Sequence, residues 1–279
     1  MKFTDFSSIE KLVGMALEED LKNGDPSSNI AFSDSDTRTY KILLKQQGVV
    51  AGIDVAGYVF KRIDPNLKFT TFIEDSYSAA TKVAEITGLE KSILKGERTA
   101  LNFLQRMSGV ATYTFHLASL IVDLPVDLID TRKTIPGWRV LDKYSVRAGG
   151  GKNHRMDLGE VIMFKDNHIY QQNISQLIQK SRDIYPDLQI ELEAENHSHI
   201  DLALKSGVDI IMLDNWNVGE VKDVVEKIRL EDSKVIIEIS GGIDQSNIRD
   251  YASCLPDRIS VGSLTHSARS VDLSIEPLE

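Results

Sequence analysis

Short apolar runs alternate with amphipathic helical patterns along the chain from residue 126 onwards. The runs have the length and the Val, Ile and Leu content of buried strands, and they lie at 126–129, 161–164, 189–192, 209–213, 235–239 and 258–261. Helical patterns separate the later runs, at 199–206, 218–230 and 245–252. Apolar strands joined by helices are typical of a parallel sheet that is covered on both faces. The repetition favours a β/α barrel, although periodicity alone is also compatible with a doubly wound sheet.

The first part of the chain has a different pattern. Helical periodicity covers 7–22, where Ser7 and Glu10 have capping-box spacing, and a second helix is predicted at 53–63. Strand patterns lie at 39–46, 67–73 and 82–86, and a long helical stretch runs from about residue 97 to residue 121. We therefore predict an α/β protein with an N-terminal α+β domain at 1–112 and a β/α barrel domain at 113–279. We expect the C-terminal tail to pack back on the first domain.

Composition narrows the class of protein. The chain has 279 residues and a formal net charge of -10, which argues against nonspecific binding to nucleic acid or to a membrane surface, since both are anionic. The single cysteine, Cys254, cannot form an intrachain disulfide, as expected in a reducing compartment. The first residues lack the apolar core of a signal peptide, and no uncharged apolar run is long enough to span a bilayer. The sequence therefore predicts a cytoplasmic protein.

Cationic side chains are concentrated between residues 130 and 168, against the acidic average of the chain. Arg132 and Lys133 follow the first predicted strand, His154 and Arg155 follow a run of three glycines, and Lys165 follows the second predicted strand. The carboxyl ends of the strands of a β/α barrel line one mouth, where active sites are built. Each residue alone could be a solvated loop charge, but together they predict one site for phosphates or carboxylates.

Carboxylates and glycine-rich turns occupy the same positions after the later strands. Glu193 and Asp214 close two of these strands, and they are candidates to hold Mg²⁺ against a phosphorylated ligand or, alternatively, to pair with the nearby cations. Ser240 and Gly241 follow the next strand, and Gly262 follows the last one. Backbone N–H groups in such turns bind phosphate, although glycine is also an ordinary turn residue.

At these residues the chain resembles the quinolinate phosphoribosyltransferase family. The resemblance extends through nearly the whole chain and departs from the family pattern at Ile135 and Trp138. It is carried by the segments Asp20-Leu21-x-x-Gly24-Asp25, residues 97–106 with Ser108-Gly109, Asp130-Thr131-Arg132-Lys133-Thr134, Gly149-Gly150-Gly151-x-x-His154-Arg155, Lys165-Asp166-Asn167-His168, Ile190-Glu191-Leu192-Glu193, Ile211-Met212-Leu213-Asp214-Asn215 and Ser240-Gly241-Gly242-Ile243.

The resemblance implies an incomplete β/α barrel after the first domain and a homodimer whose active site is shared between subunits, with Arg98 supplied by the neighbour. It implies a pentosyltransferase that joins quinolinate to phosphoribosyl pyrophosphate with Mg²⁺, giving nicotinate mononucleotide, pyrophosphate and CO₂ in de novo NAD biosynthesis. By the same resemblance, Arg132, His154 and Arg155 would bind quinolinate, and Lys133 and Lys165 would contact both substrates. Glu193 and Asp214 would contact the ribose and Mg²⁺. Ser240, Gly241 and Gly262 would bind the 5′-phosphate.

Two other readings stay open at the level of the sequence. Lys165 at a barrel mouth could form a Schiff base with a carbonyl substrate, as in an aldolase. The chain could also be a noncatalytic relative, similar to the molybdenum-associated proteins that share the fold. The presence of Arg98, His154, Arg155 and both carboxylates argues against loss of the site.

Overall fold

The computed structural model describes residues 1–79, 81–170 and 172–279. A 3₁₀ turn at Phe6–Ser8 precedes the first helix. The helices are α1 (Glu10–Leu21), α2 (Pro26–Ala31), α3 (Ile53–Ile63), α4 (Glu90–Ser119), α5 (Arg139–Ala148), α6 (Asp166–Ile169), α7 (Ile174–Ile184), α8 (His197–Ser206), α9 (Val218–Glu231), α10 (Ile248–Ala252) and α11 (Ser263–His266). The strands are β1 (Thr37–Leu44), β2 (Gly48–Val50), β3 (Lys68–Thr71), β4 (Ser76–Ser78), β5 (Thr81–Leu89), β6 (Asp127–Ile129), β7 (Val161–Phe164), β8 (Gln189–Ala194), β9 (Ile210–Asp214), β10 (Ile236–Ser240), β11 (Arg258–Ser260) and β12 (Leu273–Pro277).

The chain forms two compact units that are discontinuous in sequence. The first unit consists of Met1–Phe115, Thr134–Gly150 and Leu264–Glu279, and the second consists of His116–Lys133 and Gly151–Ser263. The division at residues 112 and 113 stays a prediction. The predicted fold class, an α+β part followed by a β/α part, is confirmed by the sheets and helices of the two units.

The first unit contains a four-stranded antiparallel sheet in the order β12-β1-β5-β3 and a two-stranded sheet of β2 and β4. The C-terminal strand β12 pairs with β1, in a register that places Leu44 opposite Leu273. Helix α3 buries an apolar face that includes Val55, Val59 and Phe60, because side chains three or four residues apart, such as Val55 and Val59, lie on the same side of a helix. Burial of such side chains stabilises the fold by about 1.5–3 kcal/mol each.

Two helix starts of the first unit differ from the sequence prediction. Helix α1 begins at Glu10, because the Asp5 carboxylate caps the preceding 3₁₀ turn by accepting the backbone N–H of Ser8. The capping box predicted at Ser7 is therefore wrong. Helix α4 begins at Glu90, seven residues before the predicted start at 97, and the side chain of Ile93 in the added turns is fully buried.

The second unit is built on a six-stranded parallel sheet in the order β6-β11-β10-β9-β8-β7. Because all neighbours are parallel, every strand ends at the same edge of the sheet. Helices α7, α8, α9 and α10 follow β7, β8, β9 and β10 in turn. Helices α8, α9 and α10 correspond to the three helices predicted from the sequence, whereas α7 was not predicted. The described strands of this sheet are fewer than the eight of a full β/α barrel, which agrees with the predicted incomplete barrel.

Candidate active site

The strands of the second unit carry polar side chains at alternate positions around a cavity. Successive side chains of a strand point to opposite faces, so residues two apart share a face. Glu191 and Glu193 form such a pair on β8, and Glu238 and Ser240 form another on β10. The cavity has a volume of about 370 Å³ and lies where the strands end. Its walls consist of Thr131, Arg132, Lys133, His154, Arg155, Met163, Lys165, Glu193, Met212, Asp214, Glu238, Ser240 and Ser260.

This cavity brings together most of the residues that the sequence singled out. The predicted site residues that line it are Arg132, Lys133, His154, Arg155, Lys165, Glu193, Asp214 and Ser240. Gly241 follows Ser240 in the turn after β10, and Gly262 lies in the turn after β11. Arg98 lies on α4 in the first unit, so it is not among the residues that enclose this cavity. The placement agrees with the predicted roles but does not test them.

Lys165 and Glu193 form an ion pair on one wall of the cavity. Lys165 comes directly after β7, and Glu193 is the last residue but one of the neighbouring strand β8. Burial raises the pKa of the Glu193 carboxyl, the ion pair with Lys165 partly offsets this, and nearby Asp214 raises the pKa further. The Glu193 side chain is 8% exposed, whereas that of Lys165 is 42% exposed, so the ammonium group stays accessible to a ligand.

Asn215, which follows Asp214, holds the Asp214 carboxylate next to the turn at Gly241. Asn215 has a left-handed backbone with φ 59°, which asparagine tolerates better than most residues. Its side-chain amide donates to Asp214 Oδ2 at 2.6 Å, and its backbone N–H donates to the Ser240 carbonyl at 2.9 Å. Gly241 packs against Asn215, and its φ of 99° lies in the region that favours glycine. Asn215 therefore links the carboxylate to the turn predicted to bind phosphate.

Two guanidinium groups lie on the cationic side of the cavity. Arg155 donates to the Val161 carbonyl at 2.7 Å, which anchors its side chain along β7. Burial lowers the pKa of Arg155, and the charge of nearby Arg132 lowers it further. The Nε atom of Arg132 is buried and has no hydrogen-bond partner in the part of the chain that the structure describes. Neighbouring like charges and an unused donor are features of a site that binds an anion.

A buried ionic cluster joins His154 and Glu238 of the cavity wall to Glu191 and Arg258, and its carboxylates and Arg258 were missed as site residues by the sequence analysis. His154 Nε2 is 3.2 Å from Glu191 Oε2 and 3.5 Å from Glu238 Oε2, and both carboxylate side chains are fully buried. Arg258 Nε donates to Glu238 Oε2 at 2.6 Å. The sequence contained a signal for this cluster, because Glu191 and Glu238 interrupt apolar strands and share a strand face with Glu193 and Ser240.

The first unit has a separate cavity of about 340 Å³ that includes Arg98. The Arg98 side chain is 59% exposed, and its guanidinium lies 3.9 Å from the Glu97 carboxylate. Trp138, one of the two departures from the family pattern, stacks on Phe103 in this cavity with ring centroids 4.8 Å apart. Trp138 therefore has a packing role within the first unit.

Carboxylate oxygens of Glu193, Glu195 and Asp214 all lie within 4.8 Å of one another. Mg²⁺ prefers oxygen ligands and keeps several waters or substrate oxygens in its coordination shell. Glu193 is buried, Asp214 is half-buried and Glu195 is exposed, so this group could hold the ion and still leave positions for a phosphorylated ligand.

Among the described residues, no helix has the length and apolarity needed to cross a membrane.

The chain matches two family profiles that together cover most of its length. Residues 25–108 match the N-terminal domain of quinolinate phosphoribosyl transferase, and residues 110–276 match its C-terminal domain. A probable carboxylating nicotinate-nucleotide pyrophosphorylase from Synechocystis sp. is 38% identical over 236 residues, covering 83% of this chain and 80% of that protein. A probable enzyme of the same name from Bacillus subtilis is 34% identical over 272 residues, covering 96% and 93%. The solved nicotinate-nucleotide pyrophosphorylase of Francisella tularensis superposes with a TM-score of 0.94 at 34% identity, covering 99% and 98%.

Proposed function

The chain belongs to the quinolinate phosphoribosyltransferase family, and from this premise we propose that it acts as a carboxylating nicotinate-nucleotide diphosphorylase. It transfers the phosphoribosyl group of phosphoribosyl pyrophosphate to quinolinate, with release of pyrophosphate and CO₂, in NAD biosynthesis. The observation that carries the proposal is the single cavity at the strand ends, where cations from distant parts of the sequence meet two carboxylates. Two small polyanions that react with each other need such a site.

The guanidinium side of the cavity fits the dicarboxylate. Quinolinate carries two adjacent carboxylates, and a guanidinium can bind a carboxylate through two parallel hydrogen bonds. Arg132 offers a buried Nε without a partner among the described residues, and Arg155 is held in place by the Val161 carbonyl. We assign quinolinate binding to these two arginines, together with the wall that His154 forms.

The part of the cavity at the ends of β10 and β11 fits the phosphoribosyl donor. Ser240, Gly241 and Gly262 lie at the ends of the adjacent strands β10 and β11, where turns present backbone N–H groups to a 5′-phosphate. Lys133 and Lys165 also line the cavity, and we assign to their ammonium groups contact with both substrates. Lys165 would exchange its present partner, Glu193, for a substrate oxygen.

Glu193 and Asp214 would hold Mg²⁺, because their carboxylates form a hard-oxygen donor set that reaches solvent on one side. The ion, when bound, neutralises the charge that develops on the departing pyrophosphate. Glu193 is paired with Lys165 in the structure, and burial raises the pKa of its carboxyl.

The reaction needs no protein nucleophile. The pyridine nitrogen of quinolinate attacks C1 of the ribose, the C1–O bond breaks, and pyrophosphate leaves with the bonding electrons. The resulting pyridinium then loses its 2-carboxylate as CO₂, the ring carbon keeps the electron pair, and a proton from solvent replaces the carboxyl group. The protein contributes alignment of the two substrates and electrostatic stabilisation of the leaving group.

The proposal includes a homodimer in which Arg98 of one subunit completes the site of the other. Arg98 is exposed in the first unit, which leaves its guanidinium accessible to a second copy. We expect contact with small anionic metabolites and with the second copy, and not with nucleic acid or membranes. The cytoplasmic location stays an expectation of the sequence.

Incubation of the protein with Mg²⁺, phosphoribosyl pyrophosphate and quinolinate tests the proposal. We expect nicotinate mononucleotide with quinolinate and none with nicotinate, because nicotinate lacks the second carboxylate. A covalent adduct of Lys165 trapped by borohydride, without this product, would favour the aldolase reading. Quinolinate binding without turnover would favour a noncatalytic relative.

A further inference from the structure

Lys165 is the first residue after β7, at the point where the pairing of β7 with β8 ends. The last residue pair of the two strands is Phe164 with Leu192, so Lys165 lies just beyond this pairing. Its side chain lines the strand-end cavity and forms the ion pair with Glu193. A lysine ammonium group sits on a flexible hydrocarbon stem. The place of this group in the cavity therefore depends on how firmly the Lys165 backbone is held.

The ring of His168 holds this backbone. Helix α6 begins at Asp166, so Lys165 is the N-cap residue of α6 and His168 is its third residue. His168 Nδ1 accepts the backbone N–H of Lys165 at 3.2 Å, and the backbone N–H of His168 donates to the Lys165 carbonyl at 2.8 Å. In a capping box, the side chain of the third helical residue reaches back to the N-cap N–H in this way. Here a histidine takes the place of the usual glutamate or glutamine.

A second contact sets the orientation of the His168 ring. The ring meets that of Phe164 in a T-shaped arrangement, with centroids 6.4 Å apart and an interplanar angle of 77°. Phe164 is the half-buried last residue of β7, so the imidazole contacts both residues at the end of the strand. His168 is itself exposed, and an exposed side chain has several rotamers open to it. The two contacts together select one of them.

We propose that His168 is a positioning residue, which acts through the Lys165 backbone and keeps the Lys165 ammonium group within reach of both substrates. His168 is not among the described residues that line the strand-end cavity, so its effect passes through Lys165. The inference rests on the proposed function, because Lys165 is the residue assigned to contact both substrates. With the backbone held, the exchange of Glu193 for a substrate oxygen needs a movement of the Lys165 side chain only.

Two replacements of His168 separate the hydrogen bond from the rest of the ring. Glutamine can accept the Lys165 N–H from the third helical position, whereas leucine has no acceptor. The Kd for phosphoribosyl pyrophosphate is measured by calorimetry with Mg²⁺ and without quinolinate. We expect it to rise roughly 2- to 12-fold in His168→Leu, the range that one net hydrogen bond supplies, and by less than about twofold in His168→Gln. Equal rises in the two variants would overturn the role of the ring acceptor.

A double-mutant cycle with Lys165→Ala tests whether His168 acts through Lys165. Once the ammonium group is removed, the exact place of the Lys165 backbone should matter little for binding. We therefore expect His168→Leu to change the Kd by less than about twofold in the Lys165→Ala background. A rise as large as that in the wild-type background would show that His168 affects the site by another route, and would overturn the proposal. Binding is the readout because Lys165→Ala is expected to be inactive.

The hydrogen bond can also be measured without any ligand. Nitrogen-15 NMR of protein labelled at histidine distinguishes a protonated ring nitrogen from an unprotonated one, and the His168 signals are those lost in His168→Gln. At about pH 8, where histidine rings are neutral, we expect an unprotonated Nδ1 and a protonated Nε2. A proton on Nδ1 under these conditions would overturn the proposal, because that nitrogen could not accept the Lys165 N–H.

Failure of the inference and failure of the proposed function give different results. Absence of wild-type turnover with both substrates would reject the proposed function, and the NMR measurement would then decide whether His168 holds the Lys165 backbone. An active wild type whose affinity is unchanged in His168→Leu would reject the inference alone. If His168→Leu does not fold, the ring tautomer of the wild-type protein decides.

Discussion

Replacement of Gly241 by alanine should destabilise the second unit more than the same replacement at Gly242. Both glycines have positive φ, 99° and 60°, and a side chain in the left-handed region costs roughly 1–2 kcal/mol. A Cβ at Gly241 would also lie 2.7 Å from the backbone nitrogen of Asn215, which cannot move without breaking its bond to the Ser240 carbonyl. Overpacking of this kind costs about 1–3 kcal/mol, whereas a Cβ at Gly242 would have no described heavy atom within 4 Å beyond the adjacent residues.

Urea unfolding followed by circular dichroism gives the free energy of unfolding of both variants. We expect Gly241→Ala to lose at least about 1–3 kcal/mol more than Gly242→Ala, since both place a side chain at positive φ but only Gly241→Ala also overpacks against Asn215. Gly241→Ala should also raise the KM for phosphoribosyl pyrophosphate, because Asn215 is displaced from Asp214 and the turn moves with it. Equal losses of stability in the two variants would refute the argument that Asn215 packs against this turn.

Three further outcomes follow from the same site. Lys133→Ala and Arg155→Ala should stay folded, with thermal midpoints close to that of the wild type, but should lose product formation; wild-type turnover in either would remove its assigned role. Glu193→Gln should abolish turnover yet raise the thermal midpoint. The pKa of the Glu193 carboxyl is raised in the folded protein, so this group lowers the stability of the wild-type fold as pH rises above the ordinary value near 4.5, and glutamine removes that loss. The gain should therefore grow between pH 4 and pH 7, and a gain that shrinks would have the wrong sign. Inactive Arg98→Ala and inactive Lys165→Ala, mixed and allowed to exchange subunits, should recover part of the activity if the site is shared; no recovery despite proven exchange would reject Arg98 as the neighbour's contribution.

The strands of the second unit were predictable because most of them contain a short run of apolar, largely β-branched residues. β7 has the predicted bounds, and β10 is displaced by one residue from the predicted run at 235–239. The strands missed in the first unit are short or polar, such as β2 with three residues and β12, which contains Glu276 and Pro277. These strands depend on pairing with distant partners, and such pairing leaves little trace in local sequence.

Helix α5 was missed for a related reason. Asp142, Lys143 and Ser145 are buried on this helix, so its inward face does not read as apolar. Asp142 is paired there with Arg106 of α4, at 3.3 Å. Tertiary partners of this kind satisfy polar groups that a sequence pattern assigns to the surface.

Much of the candidate site was predictable from where polar residues stand relative to strand ends. Lys165, Glu193 and Asp214 were found in this way, because parallel strands bring their carboxyl ends to one edge. The buried cluster was not found, because a charge within a strand has no local partner in the sequence. Glu238 meets Arg258 only when β10 and β11 pair in the register that places them opposite each other.

Release of CO₂ from quinolinate labelled in its 2-carboxyl group is the most direct test of the central claim, which is that one cavity holds both anions during the reaction. We predict release only in the presence of phosphoribosyl pyrophosphate, with one CO₂ for each pyrophosphate formed. Release without the phosphoribosyl donor, or pyrophosphate formed without CO₂, would contradict the account.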